Sequence, residues 1–369
     1  MRALYLTAML AVSLIAAGAG VGAASPTIQD EGCSFPYTAT DASGQEVTIE
    51  QRPERVTTLA PSAAQTMWEL DARSQVVGVT KFALYLEGAE SKANVSAEFG
   101  ADVEAVIGTN PDLVLAPNVT SPETVRSLRD AGLTVFLFEG SSSIQDVRNK
   151  TTRIGRLTGN CREAERTNEW MMQNVDAARN ATAAVERPSV LYPLGGGFVA
   201  GSETFIHATI RASGGANAAA EYAGYPQLVD EDIVALQPDV LLITESNRFV
   251  LSQEPYASTP AGQNNRTVDV GANWLNQPAP RSVVYAVRNM TEQLHPDAYA
   301  EAEFVAKSEV TVETESPTPT PSPTEADETP TATPTGGGES GVGQPGFGLG
   351  TAVLAAIVAL ASAGFATRE

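Results

Sequence analysis

The chain has little lysine and less histidine. Lysine stands only at Lys81, Lys92, Lys150 and Lys307, and histidine only at His207 and His295. The 23 basic residues face 44 acidic ones, a net charge of −21. Such a surface repels phosphate backbones and anionic lipid, which excludes a nucleic-acid role. Acid-rich, lysine-poor composition also suits a halophile, since molar salt screens carboxylate repulsion within about 3 Å. With two histidines, no His-Glu-x-x-His and no Cys-x-x-Cys, the chain has no ligand set for a tetrahedral metal site, and a lone helical His207 is read as structural. No Gly-x-Ser-x-Gly elbow occurs. The run Gly195-Gly-Gly-Phe-Val-Ala-Gly lacks the Lys-Ser/Thr of a phosphate loop and suits a backbone turning close beside a ligand. No catalytic set, cofactor or metal is therefore expected.

Cysteine is equally scarce. Cys33 and Cys161 are the only two, and in an exported chain they most simply form one disulfide. Closing so long a loop should stabilise the fold by about 4–5 kcal/mol in the chain-entropy model. Cys33 follows Asp30-Glu31-Gly32 rather than an apolar run, so it is not a lipid acceptor.

Export is read from the ends. Residues 1–24 run from Arg2 through apolar Ala8–Ala17 to Gly22-Ala23-Ala24, the pattern of a secretory signal, with a membrane anchor as the alternative. Leu349–Ala366 is a second apolar run, long enough to span a membrane, with Arg368 on its cytoplasmic side. Thr, Pro, Ser, Glu and Gly dominate residues 311–340, which reads as an extended stalk at about 3 Å per residue, open to O-glycosylation. Sequons at Asn94, Asn118, Asn149, Asn180, Asn265 and Asn289 are glycosylation candidates on such a chain. These readings place the protein on the extracellular face of the membrane, anchored at its C-terminus.

Between the ends, strand and helix patterns alternate. Strands are read at Arg55–Leu59, Val76–Val79, Leu113–Ala116, Thr134–Phe138, Ser189–Tyr192 and Val240–Ile243. Helices are read at Ala63–Leu70 with Ser62 as N-cap, Asp102–Ile107, Val125–Ala131, Cys161–Glu186, Phe205–Ala212 and Glu231–Leu236. Alternation implies parallel sheets with covering helices. The segment Val103–Leu115 is echoed by Asp230–Leu242: in both a Glu opens a short helix, and Pro-Asp leads into an apolar strand. The expected map is an arm at 25–44, an α/β lobe at 45–160, a linking helix at 161–187, a second α/β lobe at 188–308, a stalk at 309–342 and a C-terminal segment at 343–369. Phe99, Phe198, Tyr225 and Trp274 neighbour Gly, Pro or Asn, outside helical or strand periodicity; flat side chains so placed suit a large, partly apolar ligand.

Arg52-Pro-Glu-Arg-Val-Thr-Thr-Leu-Ala-Pro-Ser, Val76-Val-Gly-Val, Pro111-Asp-Leu-Val-Leu, Gly214-Gly-Ala-Asn and the long linking helix together resemble the substrate-binding proteins of cobalamin and ferric-siderophore ABC transporters. The resemblance covers about residues 45–300. It implies two Rossmann-like lobes joined by one long rigid helix, cargo in the cleft between them, a membrane permease as partner, a monomer, and binding without chemistry. It places Ser62, Phe99, Asn118, Phe198, Tyr225 and Trp274 in the cleft, with Phe99 shifted by one residue and Asn273 where cobalamin binders carry an acid. It makes Glu104 and Glu231 permease-docking residues, and Arg281 and Arg248 the cleft cations that a siderophore binder would use. Cobalamin, haem and ferric siderophore remain alternative cargoes; a surface adhesion glycoprotein is the alternative from another class. Gln344-Pro-Gly-Phe-Gly with its apolar helix and final Arg resembles the archaeal PGF-type sorting signal, which implies removal of the tail and its exchange for a lipid.

Overall fold

The computed structural model describes residues 33–312. The expected export signal at 1–24, the sorting segment at 343–369 and the stalk expected at 309–342, except for its first four residues, lie outside the described residues. No helix among the described residues is long and apolar enough to cross a membrane.

The first lobe opens on an antiparallel hairpin, β1 (Tyr37–Thr40) and β2 (Glu46–Ile49), in the stretch expected as an arm. Ala39, Val47 and Ile49 bury its inner face on the lobe. Then follow β3 (Val56–Thr58), α1 (Pro61–Glu69), β4 (Val76–Val79), β5 (Ala93–Asn94), α2 (Val103–Gly108), β6 (Leu113–Ala116), α3 (Pro122–Asp130) and β7 (Val135–Leu137). All four ladders of this sheet are parallel, in the order β5-β4-β3-β6-β7. Two helices come next, α4 (Ile144–Thr158) and α5 (Cys161–Ala181).

The second lobe contains β8 (Ser189–Leu191), the short hairpin β9 (Pro193–Gly195) and β10 (Phe198–Val199), α6 (Phe205–Ala212), β11 (Ala216–Asn217), α7 (Asp230–Ala235), β12 (Val240–Ile243), α8 (Pro260–Gln263), β13 (Thr267–Asp269) and α9 (Ala272–Leu275). Its sheet, β11-β8-β12-β13, is also parallel throughout. The described residues close on α10 (Pro280–Leu294), α11 (Pro296–Glu301) and a tail segment to Val312. The central strands β6 and β12 are buried at every residue, as parallel strands covered on both faces must be.

The sequence echo is structural. Asp112 Oδ2 accepts from the backbone N–H groups of Glu54 and Arg55, and Asp239 Oδ2 accepts from that of Ser189. Each Asp thus pins the start of its lobe's first strand. The residue before each Pro-Asp pair, Asn110 and Gln237, has a positive φ of 46° and 45°.

Two expectations change. Ser62 is not an N-cap: Pro61 already occupies the first helical position and Ala60 precedes it, so α1 starts without a side-chain cap. The long helix ends at Ala181, five residues before Glu186, where Thr182 folds its hydroxyl back onto Ala178. At 21 residues it still spans about 30 Å, from the first lobe to the second. It does not join them alone. Side chains of α4, α5, α6 and α10 form one apolar cluster, with Trp170, Met171, Val175, Val283 and Val287 buried along it, and this spine belongs to neither sheet. Cys33 and Cys161 are bonded, with Cα atoms 5.6 Å apart, and fix the chain's described start to the head of α5.

Candidate ligand cleft

In an open parallel sheet the ligand crevice lies beyond the carboxyl ends of the strands, where the strand order reverses. Both sheets reverse beside their first strand, between β3 and β6 and between β8 and β12. Ser62 and Asn118 follow β3 and β6; Phe198 follows β8. Phe99, Tyr225 and Trp274 follow β5, β11 and β13. All six expected cleft residues therefore lie in the segments that follow the carboxyl ends of the sheet strands, with Phe198 opening the short strand β10.

The exposed large apolar side chains concentrate on the same edge. Phe82 and Leu84 follow β4, Phe99 follows β5, Val119 follows β6, Leu194 and Tyr225 lie past β8 and β11, and Phe249 follows β12. An apolar rim on a charged protein marks a binding surface.

The floor of the cleft is built by both lobes. Trp274 meets Tyr85 edge-on at 6.0 Å and Tyr285 of α10 at 5.0 Å between ring centroids. The Tyr85 hydroxyl donates to Gln277 Oε1 at 2.6 Å and accepts from Gln65 Nε2 at 2.8 Å. Burial pushes the Tyr85 phenol up to about 12, so it stays a donor at any physiological pH. The amine of Lys150, on α4, donates to the Pro278 carbonyl at 2.6 Å, and burial pushes it down to about 8. Ser282 Oγ donates to the Asn273 carbonyl at 3.1 Å. The segment carrying Trp274 is thus held by groups of the opposite lobe and of the spine.

The second lobe's wall is knitted together. Phe198 bridges to Gln227, whose amide donates to the Gly196 carbonyl at 2.8 Å, while Leu228 N–H donates to the Gly197 carbonyl at 2.9 Å. Gly197 has φ +81°, and a Cβ there would come within 2.6 Å of the Leu228 carbonyl oxygen; no other residue permits this approach. Burial raises the Tyr225 phenol, with neighbouring Tyr192 adding to it. Tyr192 in turn meets Asn276 Oδ1 at 3.3 Å, next to the floor. Phe198 and the Tyr225 segment are therefore brought together, as are Trp274 and Tyr85. Ser62, Phe99 and Asn118 make no side-chain hydrogen bond to this group. Asn118 and Phe99 are exposed on the first lobe's loops, and Ser62 is half-buried.

Neither expected cleft cation is free. Arg281 pairs with Glu69, and Arg248 pairs with Asp269. His207 Nδ1 lies 3.2 Å from the Asn217 amide, and burial lowers its pKa; His295 Nε2 lies 3.2 Å from the Gly214 carbonyl. Among the described residues no group of three or more His, Cys, Asp or Glu could hold a metal.

Glu104 and Glu231 are both exposed in the first turns of α2 and α7. Glu231 borders a concavity of about 450 Å3 with Asp230, Val234, Glu254 and Pro255. This hollow has three carboxylates and no aromatic side chain, so an apolar cargo has no reason to enter it. Of the sequon residues, Asn94, Asn118, Asn149, Asn180 and Asn265 are exposed, whereas Asn289 is half-buried and accepts from Gln293 at 2.7 Å.

Reading the sequence missed Tyr85, Gln65, Gln277, Lys150, Ser282 and Tyr285. Tyr85 did carry a signal: the run Lys81-Phe-Ala-Leu-Tyr directly after a strand has the same loop aromatics that marked Phe99 and Trp274.

Comparison with known proteins agrees with this geometry. A family model described as periplasmic binding protein matches residues 56–273. A cobalamin-binding protein of Halobacterium salinarum is 44% identical over 305 residues, covering 78% of this chain and 82% of that one. An uncharacterized ABC transporter substrate-binding lipoprotein of Bacillus subtilis is 28% identical, covering 72% of this chain and 88% of that one. Among solved structures, the apo periplasmic heme-binding protein RhuT from Roseiflexus is 25% identical with a TM-score of 0.60, covering 65% of this chain and 98% of that one. Two parallel-sheet lobes on a helical spine, with the matched family spanning both, make this chain a member of the periplasmic binding protein family.

Proposed function

We propose that the protein captures a corrinoid outside the cell and presents it to the permease of an ABC importer. The observation that carries this reading is the apolar rim at the strand ends of both lobes over a floor of Trp274, Tyr85 and Tyr285. The cobalamin-binding relative at 44% identity supports the choice of cargo. So does the chemistry of the loops. A haem needs a protein ligand for its iron, and the loops following the parallel strands hold no His, Met or Cys, so only a tyrosine such as Tyr225 could serve there. An anionic ferric siderophore calls for free cations, and Arg281 and Arg248 are each committed to a carboxylate. A corrinoid arrives with its cobalt held in the ring by its own nitrogens and asks mainly for flat apolar area, at about 25 cal/mol per Å2 buried.

Glu104 and Glu231, one on each lobe, are the permease contacts in this reading. No covalent step is involved, and the chain works as a monomer. It is exported by residues 1–24 and held at the cell surface through the stalk and the sorting segment, with glycans at the exposed sequons; an intact-mass measurement of the mature protein, including its C-terminus, tests these points. Titration of the purified protein in molar salt with cyanocobalamin, haemin and a ferric siderophore tests the cargo. Saturable binding of cobalamin at micromolar or lower concentration is expected. Binding of haemin or siderophore in its place would overturn the choice.

A further inference from the structure

The geometry points to the tail segment after α11, Ala302–Val310, as a strap that positions the cleft floor by acting through Glu69; the inference rests on the cleft proposed above. Glu69 is the last residue of α1 and is buried, at 6% exposure. Its carboxylate receives two cations from distant parts of the chain. Arg281, in the first turn of α10, takes Oε1, and the Lys307 amine lies 3.5 Å from Oε2 while also donating to the Glu69 carbonyl. Thr167 of α5 donates to that carbonyl at 3.1 Å. The first lobe, the spine, the second lobe's α10 and the tail therefore meet at one residue.

One turn earlier on the same face of α1 stands Gln65. Its Oε1 accepts from the Ser282 N–H at 3.0 Å, and its Nε2 donates to Tyr85, the floor residue. Two neighbouring residues of α10, Arg281 and Ser282, are thus tied to two stacked residues of α1. The outer tie is the one that the tail completes.

The tail is built to hold this position. The Val305 carbonyl accepts from Trp170 Nε1 at 3.2 Å and from Asn174 Nδ2 at 3.1 Å, both on α5. The Arg288 guanidinium lies 4.8 Å from the Phe304 ring centroid, and Val310 is buried in the spine cluster. Lysine is scarce in this chain, yet two of its four lysines bridge distant segments: Lys150 binds the floor segment and Lys307 binds Glu69. Without Lys307 the buried carboxylate keeps Arg281 as its ion-pair partner among the described residues. The α1–α10 contact then loosens, and the Trp274 floor loses its single geometry in the empty protein.

The test uses the whole chain with Lys307→Met, Lys307→Arg and, as control, Lys92→Met. Hydrogen exchange is followed in the ligand-free proteins. In Lys307→Met, amides of α1 and the first turns of α10 should exchange about tenfold faster, the size expected when a hydrogen-bonded charge loses its partner, with both sheets unchanged. Lys307→Arg should restore the slow exchange, and Lys92→Met should not alter it. Cobalamin affinity should fall about fivefold or more in Lys307→Met alone. Unchanged exchange across α1 and α10 in Lys307→Met, or acceleration spread evenly over both lobes, overturns the strap. Because exchange is read without ligand, a failure of the cargo assignment would appear separately, as wild-type protein that does not bind cobalamin.

Discussion

The two lobes share one design and finish it differently at the cleft. Each starts its sheet with a strand pinned by the Asp of a Pro-Asp pair, and each places a short helix with an exposed Glu before that pair. The second lobe then locks its strand ends together, with Phe198 bridged to Gln227 and the floor segment bound from several sides. The first lobe leaves Phe82 and Phe99 63% and 70% exposed, more than the second lobe's Phe249 at 56% and Tyr225 at 39%, while its Tyr85 is fastened into the floor. In the proposed cleft the second lobe would thus supply the fixed wall, suited to specificity, and the first lobe the loose one, suited to adaptation. The lobes differ in fastening too, since only the first has the disulfide, at its junction with α5.

The largest effect should come from the proposed docking faces. Reversing both charges, Glu104→Lys with Glu231→Lys, is expected to abolish uptake in cells while leaving cobalamin affinity intact. Single reversals sharpen the comparison. Glu231 has Asp230 and Glu254 beside it, so its loss should reduce uptake less than the loss of Glu104. Next in size is the disulfide. Cys33→Ser with Cys161→Ser should lower the stability of the first lobe by about 4–5 kcal/mol in the loop-closure model, seen as an earlier denaturant transition. A single transition shifted as one would mean that the spine couples the lobes into one folding unit.

Trp274→Ala should weaken cobalamin binding by about thirtyfold or more, as truncation of a central aromatic anchor does. Phe99→Ala, on the loose wall, should cost about fivefold. Equal losses would break the distinction between the walls. The smallest effect is read in stability against pH. The folded-state pKa of Lys150 lies near 8, below its ordinary 10.5. The cost of burying its charge is present in full below pH 8 and fades as pH rises toward 10.5. Wild type should therefore gain stability over that window relative to Lys150→Met, measured as the difference between their unfolding midpoints at each pH.

What the sequence made legible follows from the reach of its signals. The repeated Glu…Pro-Asp units, the Gly-closed helices and the loop aromatics are local patterns, and they made the α/β alternation of both sheets legible and singled out Trp274 and Phe198 as candidates. Helix α4 begins at a capping box of Ser143 and Asp146 and carries an apolar stripe at Ile144, Val147, Ile154 and Leu157, but Thr151 and Gly155 thin the stripe in its middle and the helix was passed over. Helix α10 has an apolar stripe at Val283, Val284, Val287 and Met290, but it follows a long run of short loops and turns that gave no frame for it. The contacts that fasten the floor were beyond reach. Gln65 and Ser282 are 217 residues apart, and Tyr85 and Gln277 are 192 apart. Nothing in either segment alone names its partner. Ser62 was misjudged as a cap because a serine before a helix is a common signal, and here Pro61 had already set the start.

The most direct test of the account is a structure of the protein with cyanocobalamin bound. The corrin should lie between the lobes over Trp274 and Tyr85, against Phe198 and Tyr225 on one side and Phe82 and Phe99 on the other, with the fixed wall unmoved from its place in the empty protein. Cobalamin seated on one lobe alone, or in the acidic hollow beside Glu231, would contradict it.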